Sequence, residues 1–180
     1  MRIESFKIAF PYGEGLKIER MKTINIESKE EIEAIINSCK HCVVSTVSIE
    51  GMPYSVPMNF VFHNGQLILH SAPTGTHLQN IENNNSICAV FCTDGKLVYQ
   101  HKEVACSYRM RAQSVVCFGK VSFVENIDDK ILLMNRLMAH YTQNEFNYSK
   151  PAIQNVKVWI VEIDKITGKS FAVPHRKSNL

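Results

Sequence analysis

The sequence predicts a mainly β protein in which short antiparallel strands close into a small barrel with flanking helices. Three observations predict this class. Several strand-length segments alternate apolar and polar residues, strong turn signals separate them, and helical periodicity is confined to a few stretches. Many short strands joined by close turns are typical of barrels. With 180 residues, 45% of them apolar, the chain can build one domain with its own core.

We expect residues 1–24 to be an N-terminal extension without an assignable role, and residues 25–180 to form a single domain. The domain would begin with a helix, because Ser28 and Glu31 have the spacing of a capping box. In such a box the hydroxyl accepts the Glu31 N–H and the Glu31 carboxylate reaches back. Apolar residues then recur at helical spacing, so this helix should cover one opening of the barrel.

The strongest strand pattern lies between residues 42 and 70. Met58, Phe60 and Phe62 alternate with their neighbours, which predicts one continuous strand. Asn64-Gly65 predicts a type I′ hairpin, because both residues tolerate a positive φ. The three strands predicted in this region span residues 42–48, 53–62 and 66–70.

The second half of the chain continues the pattern. A strand is predicted at 86–93 and a longer one at 112–124, where Gly119 suggests a bulge or a close backbone approach. Asp128 is expected to cap a helix with a wide apolar stripe. The closing strand, VKVWIVEI, contains Trp159, which we expect either in a subunit interface or against a ligand.

A polar loop at residues 71–76 joins the strand at 66–70 to a helix that begins with HLQNI. Free backbone N–H groups, hydroxyls and a helix N-terminus would meet there beside a strand end. This combination predicts a cradle for an anion or a phosphate.

Composition excludes several classes of function. A net charge of +3, with no cluster of basic and aromatic residues, argues against binding of nucleic acid. We expect no membrane span, because the apolar runs are only strand-length, and no signal peptide, so a cytoplasmic protein is predicted.

Six cysteines are present, and Cys39 and Cys42 have the spacing of a redox or zinc motif. A second Cys-x-x-Cys is missing, so we interpret the cysteines as small buried side chains. A regulator that binds a metal ion through Cys39 and Cys42 is a further, weaker alternative for the function.

Four stretches in this order carry a family resemblance. They are PYSVPMNFVFHNGQLILHSAPTGTHL, CSYRMRAQSVVCFGKVSFVE, a helix that ends with MAHYT, and VKVWIVEIDKITGK. Together they resemble the pyridoxamine 5′-phosphate oxidase-related flavoproteins, and among these the branch of the 5-nitroimidazole-resistance (Nim-type) proteins. The resemblance covers roughly residues 29 to 169 and implies an FMN-binding split barrel with Greek-key antiparallel strands.

The resemblance also implies where FMN would bind, in a site between the two protomers of a homodimer. The carried-over cofactor-binding residues are Asn59, Phe60, Val61, His70, Ser71, Ala72, Thr76, His77, Gln113, Ser114 and Val115. Most relatives have lysine at the position of His77, and an imidazole lacks that fixed charge. The phosphate would then depend more on hydroxyls and helix N–H groups, or on Arg109 or Arg111.

The implied function is that of an FMN-dependent oxidoreductase that passes electrons from a reduced donor to a small acceptor, with nitroaromatics in the acceptor class. His70 is the candidate catalytic residue, as a proton donor near neutral pH. True pyridoxamine phosphate oxidation is not expected, because His175-Arg176 is the only basic hint of a substrate clamp near the C-terminus. The alternative is a split barrel that holds flavin or heme without turnover.

Overall fold

The structure is a computed structural model, and it describes residues 21–174. Its ten strands are β1 (Lys22–Ile26), β2 (Cys42–Val47), β3 (Pro53–Met58), β4 (Phe60–His63), β5 (Gln66–Ser71), β6 (Ser86–Cys92), β7 (Lys96–Val98), β8 (Arg109–Arg111), β9 (Gln113–Val124) and β10 (Lys157–Val173). Its α-helices are α1 (Lys29–Ser38), α2 (Thr76–Asn83), α3 (Ile127–Tyr141) and α4 (Lys150–Gln154). The extension predicted at 1–24 therefore lies largely outside the described residues, and its predicted end falls inside β1.

The main sheet closes on itself through one bent segment. Its strand order is β3-β2-β6-β9-β10-β5-β4, and the pairs are antiparallel. The first and last strands of this order, β3 and β4, follow each other in the chain and are separated only by Asn59. This closure confirms the predicted barrel, but the single strand expected at 53–62 is divided at Asn59, because its two halves pair with different neighbours.

Two hydrophobic clusters pack against opposite faces of β5 and β10. The main cluster fills the barrel and includes Leu69 and Trp159, each with 0% of its surface exposed. The second cluster lies under α3 and α4 and includes Ile68 and Val158. Trp159 is thus a core residue of one protomer, which corrects the expectation of an interface or ligand contact.

The first helix begins as predicted and covers one end of the barrel. Ser28 is its N-cap and accepts the N–H of Glu31 at 3.1 Å. The reciprocal half of the capping box is not formed, because the Glu31 carboxylate accepts a hydrogen bond from Gln113 Nε2 instead, at 2.9 Å. Buried isoleucines of α1 belong to the main cluster.

The predicted turns and the bulge are also confirmed. Asn64 and Gly65 have φ values of 51° and 78°, as a type I′ hairpin requires. At Gly119 a Cβ atom would lie 2.2 Å from the carbonyl oxygen of Glu162, so only glycine allows β9 to approach β10 this closely. The register between these strands shifts beside that contact.

Other boundaries differ from the prediction. The N-cap of α3 is Asn126, whose Oδ1 accepts the N–H groups of Asp128 and Asp129, so Asp128 is not the cap. The closing strand β10 continues to Val173, because it also pairs with β1 and β9. A separate two-stranded ribbon, β7–β8, was not predicted. Within residues 21–174, no helix combines the length and apolar character needed to cross a membrane.

Candidate functional site

The end of β5 and the start of α2 meet beside β10, and most of the predicted site residues lie there. Ser71 pairs with Lys157 and His70 pairs with Val158. Phe60 of β4 pairs with Leu69, so Asn59 lies at the same end of the ladder as His70. Ala72 is exposed in the loop that follows, and Thr76 is the first residue of α2.

The start of α2 has no side-chain cap. Its N-cap is Gly75, with φ 152° and ψ 161°, a backbone region that is essentially restricted to glycine. Because no side chain accepts the N–H groups of the first turn, this end of the helix can bind an anion. The phosphate cradle expected from the sequence would lie at this helix start, and its binding of phosphate stays a prediction.

His77 packs inward rather than away from the barrel. Its ring lies 5.3 Å from that of Trp159, centroid to centroid. A Cβ atom on Gly75 would come within 2.7 Å of His77 Cε1, so glycine is needed to seat the imidazole. Burial lowers the pKa of His77 below its ordinary value, and Nε2 is buried with no hydrogen-bond partner among the described residues.

His70 lies on the opposite face of the sheet from Trp159. It shares its face with Ile68, two residues earlier, and with its cross-strand neighbour Val158, both in the second cluster. Burial also lowers the pKa of His70, and its Nδ1 is buried without a partner in the part of the chain that the structure describes. A histidine that is neutral at pH 7 can donate one hydrogen bond and accept another.

The chain turns from β3 into β4 at Asn59, and we call this turn the corner at Asn59. It is held by a residue whose role the sequence did not indicate. Tyr141, at the end of α3, accepts the backbone N–H of Phe60 at 2.9 Å and donates its hydroxyl to the Lys40 carbonyl at 2.9 Å. Asn59 is exposed and Val61 is half-buried, whereas Phe60 is fully buried. The only signal for Tyr141 was its place at the end of the apolar stripe.

Gln113, Ser114 and Val115 form a second, separate group at the start of β9. From the corner at Asn59, the sheet passes through β2 and β6 before it reaches β9. Three interstrand steps of ~4.8 Å correspond to roughly 14 Å. Val115 is fully buried in the main cluster. One chain therefore does not bring the predicted cofactor residues together.

An open depression of about 770 Å³ lies beside the corner at Asn59. The ends of α1 and α3 form its other walls. A volume of this size is within the range of small-molecule sites. No sequence pattern predicted this depression, because its walls come from three distant segments.

The cysteines behave as small apolar side chains where they are buried. Cys39 and Cys42 have 7% and 1% of their surface exposed. Burial raises the pKa of Cys42 to about 12, and that of Cys117 also to about 12. No group of three or more His, Cys, Asp or Glu side chains in residues 21–174 is arranged to hold a metal ion. Both His175 and Arg176 are outside the described residues.

Comparison with known proteins begins with the family profile described as pyridoxamine 5′-phosphate oxidase, which matches residues 28–170. A solved structure from Bacteroides thetaiotaomicron, of a candidate 5-nitroimidazole antibiotic resistance protein, is 45% identical. That match covers 91% of this chain and 96% of the other, with a TM-score of 0.78. A search of curated proteins found no match.

Two further solved structures share the fold at 16% identity, each with a TM-score of 0.73. The flavocytochrome Anf3 from Azotobacter vinelandii is matched over 86% of this chain and 72% of its own. The FAD and heme binding protein from Mycobacterium smegmatis is matched over 85% and 76%. Because the family profile spans most of the chain and the 45% identical relative is covered almost completely, this protein belongs to the pyridoxamine 5′-phosphate oxidase family.

Proposed function

We propose that the protein is an FMN-dependent oxidoreductase that passes electrons from a reduced donor to a small acceptor, with nitroaromatic compounds in the acceptor class. The observation that carries the proposal is the uncapped start of α2 beside two half-buried imidazoles, each with one buried nitrogen that lacks a partner among the described residues. Buried polar atoms are rarely left unpaired, so these nitrogens are candidates to bind a ligand. The 45% identical relative, itself a candidate nitroimidazole resistance protein, supports the acceptor class.

The residues fit an FMN in most respects. The phosphate would bind the N–H groups of Thr76 and His77 and the Thr76 hydroxyl, since the Leu78 N–H already donates to the Gly75 carbonyl. The Ser71 hydroxyl would join them only by giving up its hydrogen bond to the Ala72 carbonyl. Asn59 and Val61 would address the polar rim of the ring. Phe60 fits less well, because its N–H is already bound to Tyr141, and it would serve only as a wall.

A bound flavin would supply the electron-transfer chemistry that protein side chains lack. The chain itself would orient the ligands and provide a proton. His70 is the candidate, because it lies at the strand end beside Asn59 and its Nδ1 makes no other hydrogen bond in the described chain. Since burial lowers the pKa of His70, the ring would relay a proton by accepting at one nitrogen and donating from the other. A second copy of the chain would supply Gln113 and Ser114 to the site, which explains why one chain keeps them apart.

The homodimer has a candidate surface on the outside of the barrel. We define the outer patch as Val43, Val47, Cys88, Val90, Val116 and Phe118. These side chains alternate with core residues along β2, β6 and β9, and the cross-strand pairs Val43–Val90, Val90–Val116 and Cys88–Phe118 place them on one face. Phe118 is 44% exposed and Val47 is 41% exposed. Trp159, which was expected at an interface or against a ligand, is buried within the protomer, as are Met58 and Phe60.

The experiment that tests the function is mass spectrometry of the small molecule released when the purified protein is denatured. We expect FMN, with visible absorbance that a reductant bleaches and a nitroaromatic acceptor restores. A Soret band would favour the heme-binding alternative. Absence of any flavin, with no FMN uptake on titration, would contradict the proposal.

The dimer is tested separately by Phe118→Asp. A buried carboxylate in the outer patch should convert a dimer that buries more than ~2,000 Å² into monomer. Light scattering would measure the mass, and Leu132→Asp, at a 51% exposed position of α3, is the matched control. A wild-type protein that is monomeric at micromolar concentration would contradict the interface site.

A further inference from the structure

The depression beside Asn59 differs from the rest of the site in its charge. Ten residues line it, and none of them is aspartate or glutamate. Lys40 contributes an ammonium group to the lining, and His41 and His140 contribute imidazole rings. Within residues 21–174 an ion pair joins Lys157 to Glu125, and Lys40 has no carboxylate partner there.

The backbone around these groups is held in place. Tyr141 binds the carbonyl of Lys40 and the N–H of Phe60 through one hydroxyl, which links α3, the start of β4 and the segment after α1. The carbonyl ends of α1 and α3 point toward this region, and their negative ends favour nearby cations. Those negative ends oppose an anion, so Lys40 would have to supply the attraction for an anionic group.

The walls also offer apolar and aromatic surface on which a planar molecule could pack. Pro57 and Met58 contribute apolar surface. The His140 ring packs against Phe60 at 5.2 Å and against Tyr141 at 4.8 Å, centroid to centroid, so it is fixed on one side of the opening. An aromatic compound could pack on this surface while an attached anionic group meets Lys40.

We propose that this depression is a binding site for a small aromatic electron acceptor that carries a carboxylate group. The inference rests on the proposed function, because Asn59 would then separate the acceptor from the flavin rim. Specificity would come from the charge: an acid would bind more tightly than the neutral amide of the same ring. The binding itself needs no flavin, so it can be tested independently.

The test uses 4-nitrobenzoate and its neutral counterpart 4-nitrobenzamide, with the wild type, Lys40→Gln and His140→Gln. Lys29→Gln is the matched control, because Lys29 is exposed at the opposite end of α1, about 15 Å away along the helix. Dissociation constants would be measured by calorimetry on flavin-free and on FMN-loaded protein, and KM values would be measured where turnover occurs.

Wild type should bind the acid more tightly than the amide. Lys40→Gln should weaken binding of the acid roughly three- to tenfold and leave the amide unchanged, and Lys29→Gln should change neither. If the protein takes up no flavin but this pattern persists, the proposed function fails and the site stands. The site would be overturned if Lys40→Gln weakened binding of the acid and the amide equally, or if the wild type did not bind the acid. The site would also be overturned if Lys40→Gln weakened binding of FMN but not of riboflavin, because the cation would then serve the cofactor's phosphate.

Discussion

His70 and His77 are seven positions apart in the chain, and burial lowers the pKa of both. The two residues nevertheless occupy different environments. His77 is packed on Trp159 over the main core and under Gly75, whereas His70 shares the other face of β5 with the second cluster. The contrast shows that a histidine at a ligand position can be partly a packing residue. The ring contacts of His77 are those of a packing residue and its binding of a ligand stays a prediction, while His70 is the freer candidate for chemistry.

The greatest loss of stability should come from removing the surface on which His77 packs. Trp159→Ala should lower the free energy of unfolding by about 3–5 kcal/mol, because the indole is fully buried. Urea unfolding at pH 7 would measure it, with Tyr99→Ala, at a 45% exposed position, as the control. If the two histidines occupy separate environments, Trp159→Ala should also lose the part of the pH dependence of stability that His77 contributes. It should retain the part that His70 contributes.

The next effect concerns Gly75, against which the His77 ring packs. Gly75→Ala should destabilise the protein by roughly 1–3 kcal/mol, because its backbone conformation suits glycine and the new Cβ would meet the imidazole. Gly51→Ala is the matched control, since Gly51 also has a positive φ, 81°, but no heavy atom near its Cβ position. Equal losses for the two mutants would show that the contact with His77 contributes nothing beyond the backbone.

His77→Lys separates the binding role from the packing role. A lysine in the first turn of α2 should tighten FMN binding by roughly 1–2 kcal/mol, a five- to thirty-fold change in dissociation constant. The gain should be larger at pH 8.5 than at pH 6, because a bound phosphate would favour the charged imidazole and offset its burial at the lower pH, whereas lysine stays cationic at both. Flavin-fluorescence titration would measure it, with riboflavin as the phosphate-free control. Identical changes for riboflavin would place His77 away from the phosphate.

A dependence of stability on pH should be the weakest of these effects. Both histidines have a folded-state pKa below the unfolded value of ~6.5, so the unfolded chain binds more protons between the two values. Their contribution to stability is therefore present above pH ~6.5 and is lost as pH falls toward the folded-state pKa. Urea unfolding between pH 5 and 7.5 would show this loss, and either His→Gln variant should reduce it. If the free energy of unfolding depends on pH in both variants as it does in the wild type, that result would contradict the burial of the two rings.

Local patterns predicted much of the fold. The hairpin at Asn64-Gly65, the Ser28 cap and the glycine at 119 depend on neighbouring residues or on backbone sterics, and all three are confirmed. The cap of α3 was assigned two residues late, because Asn126 and Asp128 are both good caps and only the backbone geometry distinguishes them. The ribbon β7–β8 has no strong alternation, so its existence depends on pairing alone.

The candidate site also has a part that local sequence patterns indicate and a part that depends on contacts between distant segments. A phosphate cradle could be inferred from the sequence because its parts are contiguous, from the end of β5 to the first turn of α2, and it stays a prediction. Tyr141 and the depression beside Asn59 could not be predicted, because they join residues about 80 to 100 positions apart. Trp159 was expected at an interface or a ligand and lies in the core, since alternation along a strand does not say which face is the inside of a barrel.

Periodicity, turn chemistry and matched motifs are properties of the chain alone, and they were enough to predict the fold class, the family and most of the strands. The division of the strand at Asn59, the core position of Trp159 and the packing of His77 on that ring became evident only in the folded molecule. Strand partners and the inner face of a barrel are set when the sheet closes. That closure places residues from β4, β5, β10 and α2 together, and no local pattern contains it.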